Sequence, residues 1–148
     1  MAGSNSVLGG GGFHHVAIKV RDFDKSVRMY TEAFGLREKV AWGEKGAEKD
    51  SRGVMLDTGD GNFLEIFAGG TAEVRKAAAA NESCSALIHW AFRTTKIEEV
   101  VERARAAGFR VTIEAKTVAP TGVAAKVAFC EGLDGEVFEF FEGEFFKE

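Results

Sequence analysis

The sequence predicts an α+β fold made of two tandem βαβββ modules, and three observations carry that expectation. Two apolar runs each hold an embedded histidine: Phe13–Val20 (FHHVAIKV) and Leu87–Arg93 (LIHWAFR), with His15 and His89 standing 74 residues apart. Two later runs, Asp60–Phe67 and Asp134–Phe141, repeat that offset at Asp60/Asp134, Gly61/Gly135, Glu65/Glu139 and Phe67/Phe141. Gly35 and Gly108 each end a helical pattern and lie 73 apart, as expected for a duplication with one compensated deletion. The boundaries follow: a flexible tail over residues 1–12, a first module over 13–68, a linker over 69–85 and a second module over 86–148, all within one structural domain.

In chain order, Phe13–Val20 alternates like a half-buried strand. A helix follows, with Asp22 or Asp24 as N-cap, and Phe23, Val27, Tyr30 and Phe34 share one face at spacings of four, three and four. Gly35 suits the left-handed position that closes a helix. Leu36–Trp42 reads as a strand, Gly43–Ser51 as a polar connection and Arg52–Asp57 as a third strand. Thr58-Gly59-Asp60-Gly61 is a turn, and Asn62–Phe67 is the fourth strand. In the linker, Ala72–Ala80 has strong helix propensity. The second module repeats the order with a strand at Ala86–Arg93, then a capping box at Thr95-Lys96-Ile97-Glu98. The helix it opens has Ile97, Val100, Val101, Ala104 and Ala107 on its apolar face. Strands at Phe109–Lys116, Val123–Cys130 and Val137–Phe141 complete the module. Residues 142–148 extend the last strand or pack their phenylalanines on the core.

Composition narrows the function classes. The chain has 148 residues, 45% hydrophobic, which suffices to bury a real core. A net charge of −4 provides no basic footprint for nucleic acid. No apolar run approaches the roughly 20 residues of a membrane helix. Cys84 and Cys130 show no metal-binding or redox spacing and read as reduced thiols of a cytoplasmic protein.

The histidines and glutamates define the candidate site. Neighbours on a strand point to opposite faces, so only one of His14 and His15 faces inward. The repeat selects His15, leaving His14 as a surface residue or one that supports a ligand. His15 shares its face with Ala17 and Lys19, as His89 does with Ala91 and Arg93. Glu65 stands among Phe63 and Phe67, and Glu139 among Val137 and Phe141. A carboxylate in apolar surroundings is costly unless it is paired, protonated or bound to a metal. Either half alone reads as readily as a core histidine and a solvent-facing glutamate; both pairs at one offset favour a shared site. Two imidazoles and two carboxylates suit Zn²⁺, Ni²⁺, Co²⁺, Mn²⁺ or Fe²⁺. Such an ion polarises a carbonyl and acidifies the adjacent C–H, for which a glutamate can act as base. Lys19 and Arg93 read equally as steering charges for an anionic substrate and as solvated charges.

The opening His15-Val16-Ala17-Ile18-Lys19-Val20-Arg21-Asp22, then Ser26 through Tyr30, Phe34-Gly35-Leu36, and Asp134-Gly135 before Val137-Phe138-Glu139, form a recognisable set. On these residues the chain resembles the vicinal oxygen chelate superfamily, which holds glyoxalase I and the bleomycin-resistance proteins, from about Phe13 to Phe141. The resemblance implies eight strands curled as a mixed sheet around one cleft, with metal ligands on the first and last strands of each module. That makes His15, Glu65, His89 and Glu139 the ligands of one divalent ion. It implies lactoylglutathione-lyase-like chemistry on a small substrate that chelates through adjacent oxygens. Glu139 would move the substrate proton, with Glu65 as the second choice. Phe63 and Phe67, with Trp90, Phe138 and Phe141, are candidates for an aromatic substrate lining. Many members are homodimers, and in some the site is shared between chains. The chain departs from bacterial glyoxalase I at Lys19, where that enzyme usually has arginine. It departs again at Ala68-Gly69, where asparagine is usual, and at Leu133-Asp134-Gly135, which lacks the usual proline, so glutathione use does not follow. Competing readings within the superfamily are a ring-cleaving dioxygenase or a fosfomycin-inactivating thiol transferase, both with two His and one Glu; the extra Glu65 counts against them. A metal-free drug-binding protein of the bleomycin-resistance kind is disfavoured by the full ligand set.

Overall fold

A computed structural model describes residues 6–9, 12–73 and 87–143. The first module runs β1 (His15–Lys19), α1 (Phe23–Phe34), β2 (Arg37–Trp42), β3 (Gly53–Asp57) and β4 (Phe63–Phe67). The second runs β5 (Trp90–Arg93), α2 (Ile97–Ala107), β6 (Arg110–Val118), β7 (Ala125–Glu131) and β8 (Val137–Gly143). The eight expected strands form two four-stranded sheets of identical topology, β1-β4-β3-β2 and β5-β8-β7-β6. In each sheet the first strand pairs parallel to the last and the rest are antiparallel. The expected linker helix and Cys84 fall mostly or wholly outside the described residues, as do most of the tail and residues 144–148.

Local chemistry sets the helix ends. Asp22 caps α1 by accepting the Lys25 N–H at 3.0 Å. Gly35 closes it at φ 66°, where a side chain would be strained. The capping box expected for α2 does not form. Lys96 is the N-cap and contributes no side-chain bond. Glu142 of β8 accepts the Ile97 N–H at 2.9 Å, while Glu98 is drawn to Lys126 Nζ at 2.6 Å. Several strand ends also differ from expectation by one to four residues, β5 the most. The strand anticipated from Ala86 begins only at Trp90, because its parallel partner β8 starts at Val137 and first pairs through Phe138. Leu87 and Ile88 are consequently exposed. Likewise β7 starts at Ala125 because the turn closed by the Gly122 N–H on the Ala119 carbonyl comes first.

Strand alternation gives each sheet a buried back and a more open front. Val54, Leu56, Leu64 and Ile66 line the back of the first sheet; Ala128, Cys130, Phe138 and Phe140 line that of the second. These backs and the two helices contribute to one apolar cluster, in which Tyr30 and Phe34 of α1 meet Phe109, Phe138 and Phe140 of the second module. Burial pushes the Cys130 thiol up to about 11, so it is an inert, protonated group.

Polar bonds lock the modules together. Arg21 Nε meets the buried Asp134 carboxylate at 2.7 Å and its guanidinium donates to the Leu133 carbonyl at 3.1 Å. Tyr30 Oη donates to Glu136 at 3.0 Å. Burial holds the Glu136 carboxyl above the usual carboxylate range. Arg103 of α2 donates to the Ala33 carbonyl at the end of α1 at 2.8 Å.

Candidate functional site

The strand registers arrange each front face as three rows of four residues, because directly paired residues share a face. On the first sheet the rows, read from β2 to β1, are Arg37–Asp57–Phe63–His15, Val40–Met55–Glu65–Ala17 and Trp42–Gly53–Phe67–Lys19. On the second, Arg110–Glu131–Val137 leads the first row, on the side where His89 enters β5. Ile113–Phe129–Glu139–Ala91 and Lys116–Val127–Phe141–Arg93 follow. The bulge after Glu38 in β2 and those in β6 keep Val40, Trp42, Ile113 and Lys116 on the front.

Within this frame each glutamate meets the histidine of its own module. His15 Nε2 is 3.4 Å from Glu65 Oε2, and His89 Nε2 is 3.1 Å from Glu139 Oε2. The carboxylates are nearly enclosed, at 13% and 12% side-chain exposure, whereas the imidazoles remain at 39% and 34%. His14 Nδ1 lies 2.9 Å from His15 Nδ1, and its ring packs on Phe63 at 5.0 Å. His89 stands edge-on to Phe129 at 5.1 Å.

The four expected ligands are thus brought together as two pairs. Among the described residues no group of three or more His, Cys, Asp or Glu side chains converges within one chain. The backs of both sheets join the common core, so the fronts that carry the pairs turn outward from it. The donor set nevertheless fits a first-row divalent ion: open imidazole nitrogens beside carboxylates held in apolar walls, in matching positions on two sheets.

Lys19 and Arg93 occupy equivalent front positions, one row beyond their glutamates. Phe63, Phe67 and Phe141 also lie on the fronts. Phe138, expected as a lining candidate, is wholly buried on the back, because odd and even positions of β8 face opposite ways. Trp90 belongs to the back as well, stacked on Phe138 at 5.7 Å. Its edge borders a cleft of about 880 Å³ between the modules, which both His15 and His89 also line. The sequence reading missed Trp42, Met55, Phe129 and Ile113. Extending the 74-residue offset into the middle strands pairs Met55 with Phe129 and would have found those two; at the same offset Trp42 falls on Lys116 and Ile113 on Lys39, so no repeat signal marks them.

No helix among the described residues is long and apolar enough to cross a membrane. A family model described as Glyoxalase/Bleomycin resistance protein/Dioxygenase superfamily matches residues 12–140. The chain is 28% identical over 132 residues to a Brassica oleracea var. gemmifera protein named "Putative lactoylglutathione lyase", covering 88% of this chain and 44% of that protein. It therefore spans less than half the length of that curated relative. Among solved structures, the fold resembles the fosfomycin resistance protein FosX of Listeria monocytogenes in complex with Mn(II) and sulfate. That match has a TM-score of 0.64 at 19% identity and covers 90% of this chain and 93% of that one. It also resembles a V278E variant of Zea mays glyoxalase I, with a TM-score of 0.63 at 18% identity, over 87% of this chain and 43% of that one. At such identities the likeness is one of fold.

Proposed function

The chain belongs to the glyoxalase/bleomycin resistance protein/dioxygenase superfamily, and from that premise we propose a divalent-metal-dependent lyase or isomerase of the glyoxalase I type. Its substrate is a small molecule that chelates through adjacent oxygens. The observation that carries this reading is the pair of equivalent His–Glu contacts, 3.4 and 3.1 Å, on the open fronts of two matching sheets. Since one chain presents two half-shells turned from a common core, the site forms where the first-module front of one copy meets the second-module front of another. The working unit is a homodimer. His15, Glu65, His89 and Glu139 hold the ion, which is Ni, Zn, Co, Mn or Fe.

When bound, the ion supplies electrophilic polarisation of the chelated carbonyl. Glu139 takes the acidified C–H proton and returns it at the neighbouring carbon; Glu65 is the second choice for this role. Phe129 and Ala91 stand directly beside Glu139 on the front, with Phe141 two residues along its own strand, so the carboxylate meets the substrate among apolar neighbours. Phe63 and Phe67 exclude water beside Glu65, and Lys19 and Arg93 draw an anionic part of the substrate toward the ends of the fronts. One observation favours a second reading, a metal-free cleft that sequesters a small molecule: the cleft of about 880 Å³ is lined by both histidines but by neither glutamate.

Elemental analysis of protein purified without added metal, then reconstituted, separates the two. Near-stoichiometric metal in the parent, lost in His15→Ala and in Glu139→Ala, is the expected result. A parent that stays metal-free after reconstitution overturns the enzyme reading and leaves the binding cleft.

A further inference from the structure

The two fronts match in their first two rows, except that Val137 stands where the first sheet has Phe63, and part company in the third. Arg37/Arg110, Asp57/Glu131, Val40/Ile113, Met55/Phe129, Ala17/Ala91 and Glu65/Glu139 are like for like. In the third row Lys19/Arg93 and Phe67/Phe141 still correspond, but Trp42-Gly53 stands where the second sheet has Lys116-Val127. Gly53 has no backbone need to be glycine, since its φ lies outside the left-handed region. What it supplies is space. A Cβ there would come within 2.4 Å of Trp42 Cε2 and 2.5 Å of Cζ2, so the indole rests directly on the glycine backbone. Its ring stands edge-on to Phe67, with centroids 5.8 Å apart at 72°. It nonetheless keeps 38% of its surface open to solvent.

We propose that Trp42, seated on Gly53 against Phe67, is an aromatic shelf that selects substrates carrying a planar aryl group beside the chelating oxygens. This rests on the proposed metal site and names the substrate class it would take. The distances suit the assignment. Phe67 lies two residues from Glu65 on the same strand face, about 7 Å along β4, which is the reach of a phenyl ring attached directly to a chelating head. Offset stacking on an indole adds up to about tenfold in affinity beyond simple area burial. The second sheet cannot do the same, because Val127 fills the place of Gly53 and Lys116 that of the indole. The third rows therefore differ in that one carries an indole where the other carries a lysine, although the ligand pairs are equivalent.

The test titrates zinc-loaded protein calorimetrically with benzohydroxamate and acetohydroxamate, which share a chelating head and differ in the ring. The wild type should prefer benzohydroxamate by about tenfold. Trp42→Ala should bring the preference near unity with acetohydroxamate affinity unchanged, and Trp42→Phe should retain most of it. Gly53→Val, which displaces the indole without removing it, should act like Trp42→Ala. An undiminished preference in Trp42→Ala overturns the shelf while leaving chelation intact. So does a preference lost only together with dimerisation in sedimentation, which would make the indole a dimer contact. If aryl binding follows Trp42 but neither ligand depends on zinc, the shelf stands and the metal reading falls. If neither ligand binds, the shelf is overturned too.

Discussion

His14 is what distinguishes the two His–Glu pairs. Its counterpart at the 74-residue offset is Ile88, an exposed aliphatic that cannot bond to an imidazole. With His14 Nδ1 2.9 Å from His15 Nδ1, one ring must donate and the other accept. If His15 Nδ1 carries the proton and His14 accepts it, Nε2 of His15 presents its lone pair on the side facing Glu65, as a metal ligand requires. His14→Ala should therefore weaken metal binding about tenfold, with partial recovery in His14→Gln, as measured by competition against a chromogenic chelator. Unchanged affinity in His14→Ala would remove His14 from the site. Strand alternation left this residue either on the surface or behind a ligand, and the ambiguity has a physical source. The alternation rule holds inside a strand, but His14 precedes β1, where the backbone is free to bring consecutive rings together.

The α2 N-terminus shows what a local pattern cannot see. Thr95 and Glu98 have the spacing of a capping box, yet both are outcompeted by groups distant in sequence. Glu142 reaches across from β8 to the Ile97 N–H, and Lys126 of β7 holds Glu98. A carboxylate at a helix N-terminus satisfies an orphan donor and meets the positive end of the dipole. Glu142→Ala should cost about 1 kcal/mol of stability, whereas Glu98→Ala should leave it near the wild-type value, both read from urea unfolding midpoints. The reverse order would restore the capping box. Features set by chain-local physics were legible: the Gly35 and Gly108 helix ends, the Asp22 cap, and the alternation that placed His15 and Glu65 on one face. The Asp60/Asp134 match illustrates the opposite case. Asp60 stays in its own turn, bonded to Thr58 at 2.5 Å, while Asp134 is buried on Arg21 of the other module. Identical letters took different roles because only one of them lies where the modules dock.

At the scale of the whole molecule, that docking decides where a complete site can form. Arg21 on Asp134, Tyr30 on Glu136 and the Tyr30–Phe34–Phe138–Phe140 aromatic cluster join the modules back to back. The 74-residue offset singles out the four residues of the proposed shell, but it is silent on which copies of the modules meet, since that depends on packing between elements far apart in sequence. A mixing experiment can read it. His15→Ala has a damaged first-module front and His89→Ala a damaged second-module front, so neither variant alone should hold metal. If sites form between copies, a mixed dimer of the two variants places both lesions in one site and leaves the other with all four ligands. Unfolding and refolding an equimolar mixture makes about half of the dimers mixed, each with one intact site, so about a quarter of the wild-type metal content should return. If each site forms within a single chain, every chain in the mixture carries a lesion and no metal returns. Metal content of the refolded mixture, set against each variant refolded alone, therefore decides between the two arrangements, and recovery near a quarter is the outcome this geometry requires.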